Sequence, residues 1–207
     1  MIKHRRLILI FLLLASPMTF SASKKVLVFG DSLSASYNIP TDKGWVYLLA
    51  QDLKKKNFDI EIINASISGE TSAGGLNRFQ PQIQKTQPDI VILELGANDG
   101  LRGYDLTTTQ NNLLTMINMS QKMNASVILA GIHIPPNYGK TYTRKFNQIF
   151  TELAKMENVS LIPFILEGVA TNSELMQSDG LHPNEEGQKK IVSTVLTYLL
   201  PKLSNGD

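Results

Sequence analysis

Ser32 stands in Gly30-Asp31-Ser32-Leu33-Ser34, directly behind the apolar run Val26 to Phe29. A serine hydroxyl at a strand-to-loop junction is a candidate nucleophile, aimed at by the amides of a helix that follows. It attacks a carbonyl usefully only when a base takes its proton. A serine in that place also serves as a helix N-cap, and the segment alone leaves both roles open. The Gly-x-Ser-x-Gly elbow is excluded, because Ser34 occupies the position of its last glycine. Three histidines could supply the base. His4 lies in the amino-terminal segment, and His133 sits among Ile132, Ile134 and Pro135, the setting of a packed or pocket-lining ring. His182 belongs to Asp179-Gly180-Leu181-His182-Pro183, ahead of the last amphipathic segment. A turn can bring Asp179 against its imidazole, fixing the tautomer that leaves the other ring nitrogen for Ser32. The competing reading is that Asp179 only turns the chain while Asn184 caps the next helix.

Acyl transfer also requires donors aimed at the developing oxyanion. Ser68-Gly69-Glu70 offers a backbone N–H at a residue without a side chain, and Gly96-Ala97-Asn98-Asp99 offers the Asn98 carboxamide. Glycine and asparagine also favour plain turns. Metal chemistry finds no support: there is no His-Glu-x-x-His and no clustered ligand set. The glycine-rich stretch from Gly69 fails as a phosphate loop because Gly75 stands where lysine is needed. No metal and no cofactor are expected.

These residues must be held by the elements between them. Val26–Phe29, Ile60–Ile63, Ile90–Leu95, Val127–Ala130 and Val159–Ile162 are short runs rich in Ile, Val and Leu, as strands buried on both faces require. Val46/Leu49/Ala50/Leu53, Phe146/Ile149/Phe150/Leu153 and Val192/Val195/Leu196/Leu199 repeat at the spacing of a helix with one buried stripe. Strand and helix alternate five times, which predicts an α/β fold: a five-stranded, mainly parallel sheet between helical layers. Ligands of such sheets bind beyond the carboxyl ends of the strands. The loops that begin at Gly30, Ala65, Gly96, Gly131 and Pro163 are therefore where chemistry belongs.

With 207 residues, 43% of them hydrophobic, the chain can bury one sizeable core, and a single domain over residues 24–207 is expected. Residues 1–23 read as a signal peptide: Lys3, Arg5 and Arg6 precede the apolar run Leu7 to Ala15, and the small residues Ser21, Ala22 and Ser23 follow. Spanning a membrane takes roughly 20 apolar residues, whereas this run is interrupted by Ser16, Pro17 and Thr19, so stable membrane insertion is not expected. Removing the three basic residues takes the formal charge from +2 to −1, which withdraws the main support for a nucleic-acid partner. The basic triplet Lys54 to Lys56 fits a solvated helix end. The chain has no cysteine, hence no disulfide and no lipid-modified amino-terminal Cys. These features fit export to a bacterial periplasm, and secretion to the medium would look the same.

The four blocks occur in the order found in SGNH hydrolases: Ser32 in Gly-Asp-Ser-Leu, Gly69, Asn98 in Gly-Ala-Asn-Asp, and His182 in Asp-Gly-Leu-His-Pro. The chain thus resembles the GDSL/SGNH hydrolase family over essentially its whole length after the signal. Within the family it is similar to the secreted multifunctional thioesterase I, lysophospholipase L1 and arylesterase group. That likeness rests on Gly30 to Ala35, Asn64 to Thr71, Glu94 to Gly103 and Pro136-Asn137-Tyr138-Gly139. The resemblance implies a three-layer α/β/α sandwich, a catalytic Ser32, Asp179 and His182, and an oxyanion hole from the Ser32 and Gly69 amides with the Asn98 side chain. It implies small acyl esters, acyl thioesters or lysophospholipids as substrates, cleaved through a covalent acyl-enzyme; a monomer is expected. Glu70 replaces an Asp of many relatives and Ala97 a Gly of some, departures that bear on loop shape. Ile134, Pro135 and Tyr138 are expected to line the acyl groove, with Leu101 and Tyr104 as further wall. An exported carbohydrate or peptidoglycan O-acetylesterase is the alternative that would use the same residues.

Overall fold

The computed structural model describes residues 23–204. The expected signal peptide falls, except for Ser23, outside the described residues. Five strands form one sheet: β1 (Lys24–Gly30), β2 (Ile60–Asn64), β3 (Ile90–Glu94), β4 (Ser126–Ala130) and β5 (Val159–Ile162). Their order is β2-β1-β3-β4-β5 and every pairing is parallel. The six helices among the described residues are α1 (Trp45–Lys55), α2 (Ser72–Thr86), α3 (Ala97–Leu101), α4 (Leu106–Lys122), α5 (Lys140–Leu153) and α6 (Glu185–Ser204). α1 packs on α6, while α2 packs on α4 and α4 on α5, with the sheet between the two groups. This is the expected α/β sandwich.

The buried stripes are those the helical spacing predicts: Val46, Leu49 and Leu53 on α1, Phe146, Ile149, Phe150 and Leu153 on α5, Val192, Val195 and Leu199 on α6. Burial on both faces holds for β3 throughout and for most of β1 and β4. It fails at the sheet edges, because β2 and β5 each have one neighbour only; Glu61 of β2 faces solvent. Leaving β1 the chain goes first to one side, to β2, and then to the other, to β3. The crevice at this reversal is the usual ligand position of an open parallel sheet, and Ser32 and Asn98 lie on its two sides.

Two packing features fix the loops there. Phe29 is fully buried, edge-on to Phe79 at 4.9 Å between centroids, with the Arg78 guanidinium carbon 3.9 Å from the Phe29 ring centroid. Arg78 also donates to the Ala65 carbonyl and pairs with Glu70, so the loop after β2 is tied to the floor beneath β1. Asp99, buried on α3, accepts from both the amide (2.8 Å) and the hydroxyl (2.6 Å) of Ser72, the first residue of α2. The loops that carry Gly69 and Asn98 are thereby locked to each other.

Candidate active site

Ser32 follows β1 in a string of turns rather than a regular helix: Ala35 N–H bonds the Asp31 carbonyl (2.9 Å) and Tyr37 N–H that of Ser32 (3.2 Å). The expected helix behind the serine is thus reduced to a single turn, and the first regular helix begins only at Trp45. Gly30 is required by close approach. It sits opposite Glu94 in the sheet register, and a Cβ there would lie 2.5 Å from a Glu94 carboxylate oxygen and 2.9 Å from Ser34 Oγ.

His182 Nε2 lies 2.8 Å from Ser32 Oγ, and His182 Nδ1 lies 2.7 Å from Asp179 Oδ2. Asp179 Oδ1 accepts the amides of Leu181 (2.9 Å) and His182 (3.0 Å). Burial pushes the Asp179 carboxyl up, but these amide bonds and the imidazole outweigh it and hold the group below its ordinary value. It is therefore an ionised acceptor that selects the His182 tautomer with a proton on Nδ1. Asp179 thus does more than turn the chain, while Asn184 Oδ1 caps α6 as the competing reading has it, accepting from Glu186 and Gly187 (3.1 Å each). Gln177 joins the histidine loop to the serine loop: its carboxamide donates to the carbonyls of Tyr37 and Pro183 (3.0 Å each) and accepts from Asn38 (3.1 Å). The Tyr37 ring packs on the imidazole at 4.5 Å between centroids.

Gly69 adopts a positive φ of 78°, a conformation that suits glycine, in the loop between β2 and α2. Among the described residues, neither its N–H nor that of Ser32 donates to a protein acceptor. The Asn98 carboxamide donates to Asp31 Oδ2 (3.1 Å), leaving its second N–H free. Ser32, Gly69, Asn98 and His182 all line one cleft of about 680 Å³.

The rest of that cleft is mostly apolar. Leu33, Leu101, Ile132, Ile134, Pro135 and Phe164 contribute, so the loops after β1, β3, β4 and β5 all reach it. His133 lines it too, stacked on Phe164 at 4.2 Å, and takes no part in the Ser32–His182–Asp179 hydrogen bonds. Tyr138 departs from the expectation: it is not among the residues lining the cleft, and its hydroxyl donates to the Leu101 carbonyl (2.8 Å) instead. Tyr104 is likewise absent from the lining. Among the described residues no three His, Asp or Glu side chains could hold a metal, and no helix is long and apolar enough to cross a membrane.

Beneath the serine lie two carboxyls that sequence reasoning passed over. Asp31 is fully buried and accepts from the Leu33 amide (3.1 Å) and Asn98; Glu94 is buried and accepts from Ser34 Oγ (2.7 Å) and the Asp31 amide (3.3 Å). Burial pushes Asp31 up to about 6, against the pull of Leu33, Asn98 and the His182 charge. Burial, reinforced by the Asp31 charge, pushes Glu94 well above the usual carboxylate range. The available signal was Glu94 itself, a carboxylate inside an otherwise apolar strand.

A serine, a histidine and an aspartate in one hydrogen-bonded chain, with unused N–H donors beside an apolar cleft, form an arrangement able to carry acyl transfer. Residues 28–190 match the GDSL-like lipase/acylhydrolase family. The chain is 43% identical over 203 residues to an arylesterase of Vibrio mimicus, covering 98% of this chain and 100% of that one. It is 37% identical over 185 residues to thioesterase 1/protease 1/lysophospholipase L1 of Escherichia coli K12, covering 89% and 88%. The crystal structure of the psychrotrophic esterase EstA from Pseudoalteromonas sp., inhibited by monoethylphosphonate, superposes with a TM-score of 0.83 at 40% identity, over 88% of this chain and 100% of that one. The chain belongs to the GDSL-like lipase/acylhydrolase family and is an ester-hydrolysing enzyme.

Proposed function

We propose that this chain hydrolyses acyl esters and thioesters by two-step acyl transfer, with Ser32 as nucleophile, His182 as general base and Asp179 as the group that orients it. The observation that carries this reading is the continuous hydrogen-bonded chain from Asp179 through His182 to Ser32, at 2.7 and 2.8 Å, at an apolar cleft. His182 Nε2 accepts the hydroxyl proton as Ser32 Oγ bonds to the acyl carbon, and Asp179 stabilises the imidazolium. The carbonyl oxygen takes up negative charge and is met by the Ser32 and Gly69 N–H groups and the free Asn98 N–H. The imidazolium then protonates the departing alcohol or thiol. Water, deprotonated by the same nitrogen, attacks the acyl-enzyme and releases the acid with Ser32 regenerated.

The names of the relatives support a substrate range of aryl esters, thioesters and lysophospholipids. The apolar lining supports an acyl chain longer than acetyl, held by Ile134 and Pro135 on the cleft wall. Residues 1–23 act as an export signal in this reading, and the relatives being bacterial supports a periplasmic destination. One chain supplies all the proposed catalytic groups, which supports a monomeric enzyme.

The test is hydrolysis by mature protein of acetyl to palmitoyl esters, acyl-CoA, lysophospholipid and an acetylated sugar, with Ser32→Ala as control. Long-chain esters and thioesters should turn over well and the variant should be inactive on all. Turnover confined to the acetylated sugar would replace this reading with an O-acetylesterase, and activity surviving in Ser32→Ala would remove the nucleophile.

A further inference from the structure

Arg102 caps the carboxyl end of α3, one turn beyond Asn98, with its side chain at the surface. One guanidinium nitrogen, Nη2, donates to the Gly69 carbonyl at 3.2 Å and reaches Asn98 Oδ1 at 3.4 Å. It therefore ties α3, which carries Asn98, to the loop between β2 and α2, which carries Gly69. The other end of the same carboxamide donates to Asp31. A guanidinium can only donate and an ionised carboxylate can only accept, so the two partners permit one orientation of the amide. That orientation turns N–H groups, not the carbonyl, toward the side of Asp31 and Ser32. The Gly69 carbonyl lies in the peptide that follows its N–H, so pinning it restrains the N–H across the Cα of a residue whose backbone is otherwise soft.

We propose that Arg102 is a positioning residue for the oxyanion site, acting through the Asn98 carboxamide and the Gly69 peptide. This rests on the reading of Gly69 and Asn98 as oxyanion donors given above. Arg102 adds no donor of its own. Its guanidinium keeps two of the three donors preoriented, so its removal lowers the rate of the chemical steps and leaves substrate binding nearly intact. Surface hydrogen bonds of this length contribute little to global stability.

Arg102→Ala, Arg102→Lys, Asn98→Ala and the Asn98→Ala/Arg102→Ala double variant should be assayed on neutral 4-nitrophenyl butyrate and on anionic butyryl-CoA. Removing one oxyanion donor outright costs about a hundredfold to a thousandfold, so loosening one should cost about tenfold in kcat. Expected for Arg102→Ala is that loss on both substrates, with KM changed by less than about twofold and thermal midpoint by less than about 2 °C. Arg102→Lys should regain part of the rate. In the Asn98→Ala background the Arg102 effect should shrink to about threefold or less, because its main route is gone. Unchanged kcat on the neutral ester with KM raised for butyryl-CoA alone would overturn the proposal and make Arg102 a contact for the substrate's charge. Full multiplicative loss in the double variant would also overturn it. Ser32→Ala assayed in parallel separates the two failures: an inactive Ser32→Ala with an unaffected Arg102→Ala rejects only the role of Arg102.

Discussion

Replacing Asp31 with Asn should change the pH dependence of stability by an amount that the burial of this carboxyl sets. Asp31 is fully enclosed, and burial moves its pKa from 3.8 to about 6. At about 1.4 kcal/mol per pH unit, that rise means the ionised form costs the folded state about 3 kcal/mol. Below about pH 3 the group is protonated in both folded and unfolded chains, and the cost is absent. Between about pH 4 and 6 the unfolded chain gives up this proton while the folded one keeps it, so stability falls as pH rises. Above the folded value the whole cost remains. Asn at position 31 carries no such cost, but its carboxamide cannot accept from both Leu33 and Asn98, a loss of about 1–2 kcal/mol that is the same at every pH. The difference in unfolding free energy, variant minus parent, should therefore rise by about 2–2.5 kcal/mol from pH 4 to pH 7. Relief of Glu94, which the Asp31 charge pushes up, acts in the same direction.

Urea unfolding followed by tryptophan fluorescence measures this directly, because Trp45 is the sole tryptophan and is fully buried. A difference that stays flat within about 0.5 kcal/mol from pH 4 to 7 would refute the claim that Asp31 carries this burial cost. The same variant should hydrolyse esters more slowly at pH 7 despite its gain in stability relative to pH 4, since the Asn98 carboxamide loses its acceptor.

Asn98→Ala should lower kcat about a hundredfold to a thousandfold with little change in KM; a loss under about tenfold in steady-state assays would remove the side chain from the oxyanion site. Ile134→Ala or Pro135→Ala should change the ratio of long-chain to short-chain ester hydrolysis, because both residues line the apolar cleft. An unchanged ratio would mean that the acyl chain lies elsewhere.

Much of this was legible in the chain itself. The runs of Ile, Val and Leu specify strands because a strand covered on both faces leaves no polar position, and the 3.6-residue stripes specify which helix faces meet the sheet. Ser32, Gly69, Asn98 and the Asp179/His182 pair could be selected because each follows a strand or precedes a helix in a loop at the productive edge. Tyr138 shows where this kind of reading stops. Its place after β4 matches that of Ile134, yet it ends the three-residue 3-10 turn Pro136–Tyr138 and its hydroxyl meets the Leu101 carbonyl instead of the cleft.

Ser32, His182 and the loop order were thus determined by sequence, because strand and turn preferences are local properties of short segments. The meeting of Ser32 with a histidine 150 positions away was decided by the tertiary structure, through the sheet order and the bonds of Gln177 across the two loops. So was the set of charged groups around the donors. Arg102 follows Asn98 at helical i, i+4 spacing, but nothing local marks Asp31 as a partner of Asn98 or Gly69 as a partner of Arg102; Glu94 faces Gly30 only through the β1–β3 register, and the elevated carboxyls follow from burial that packing alone creates.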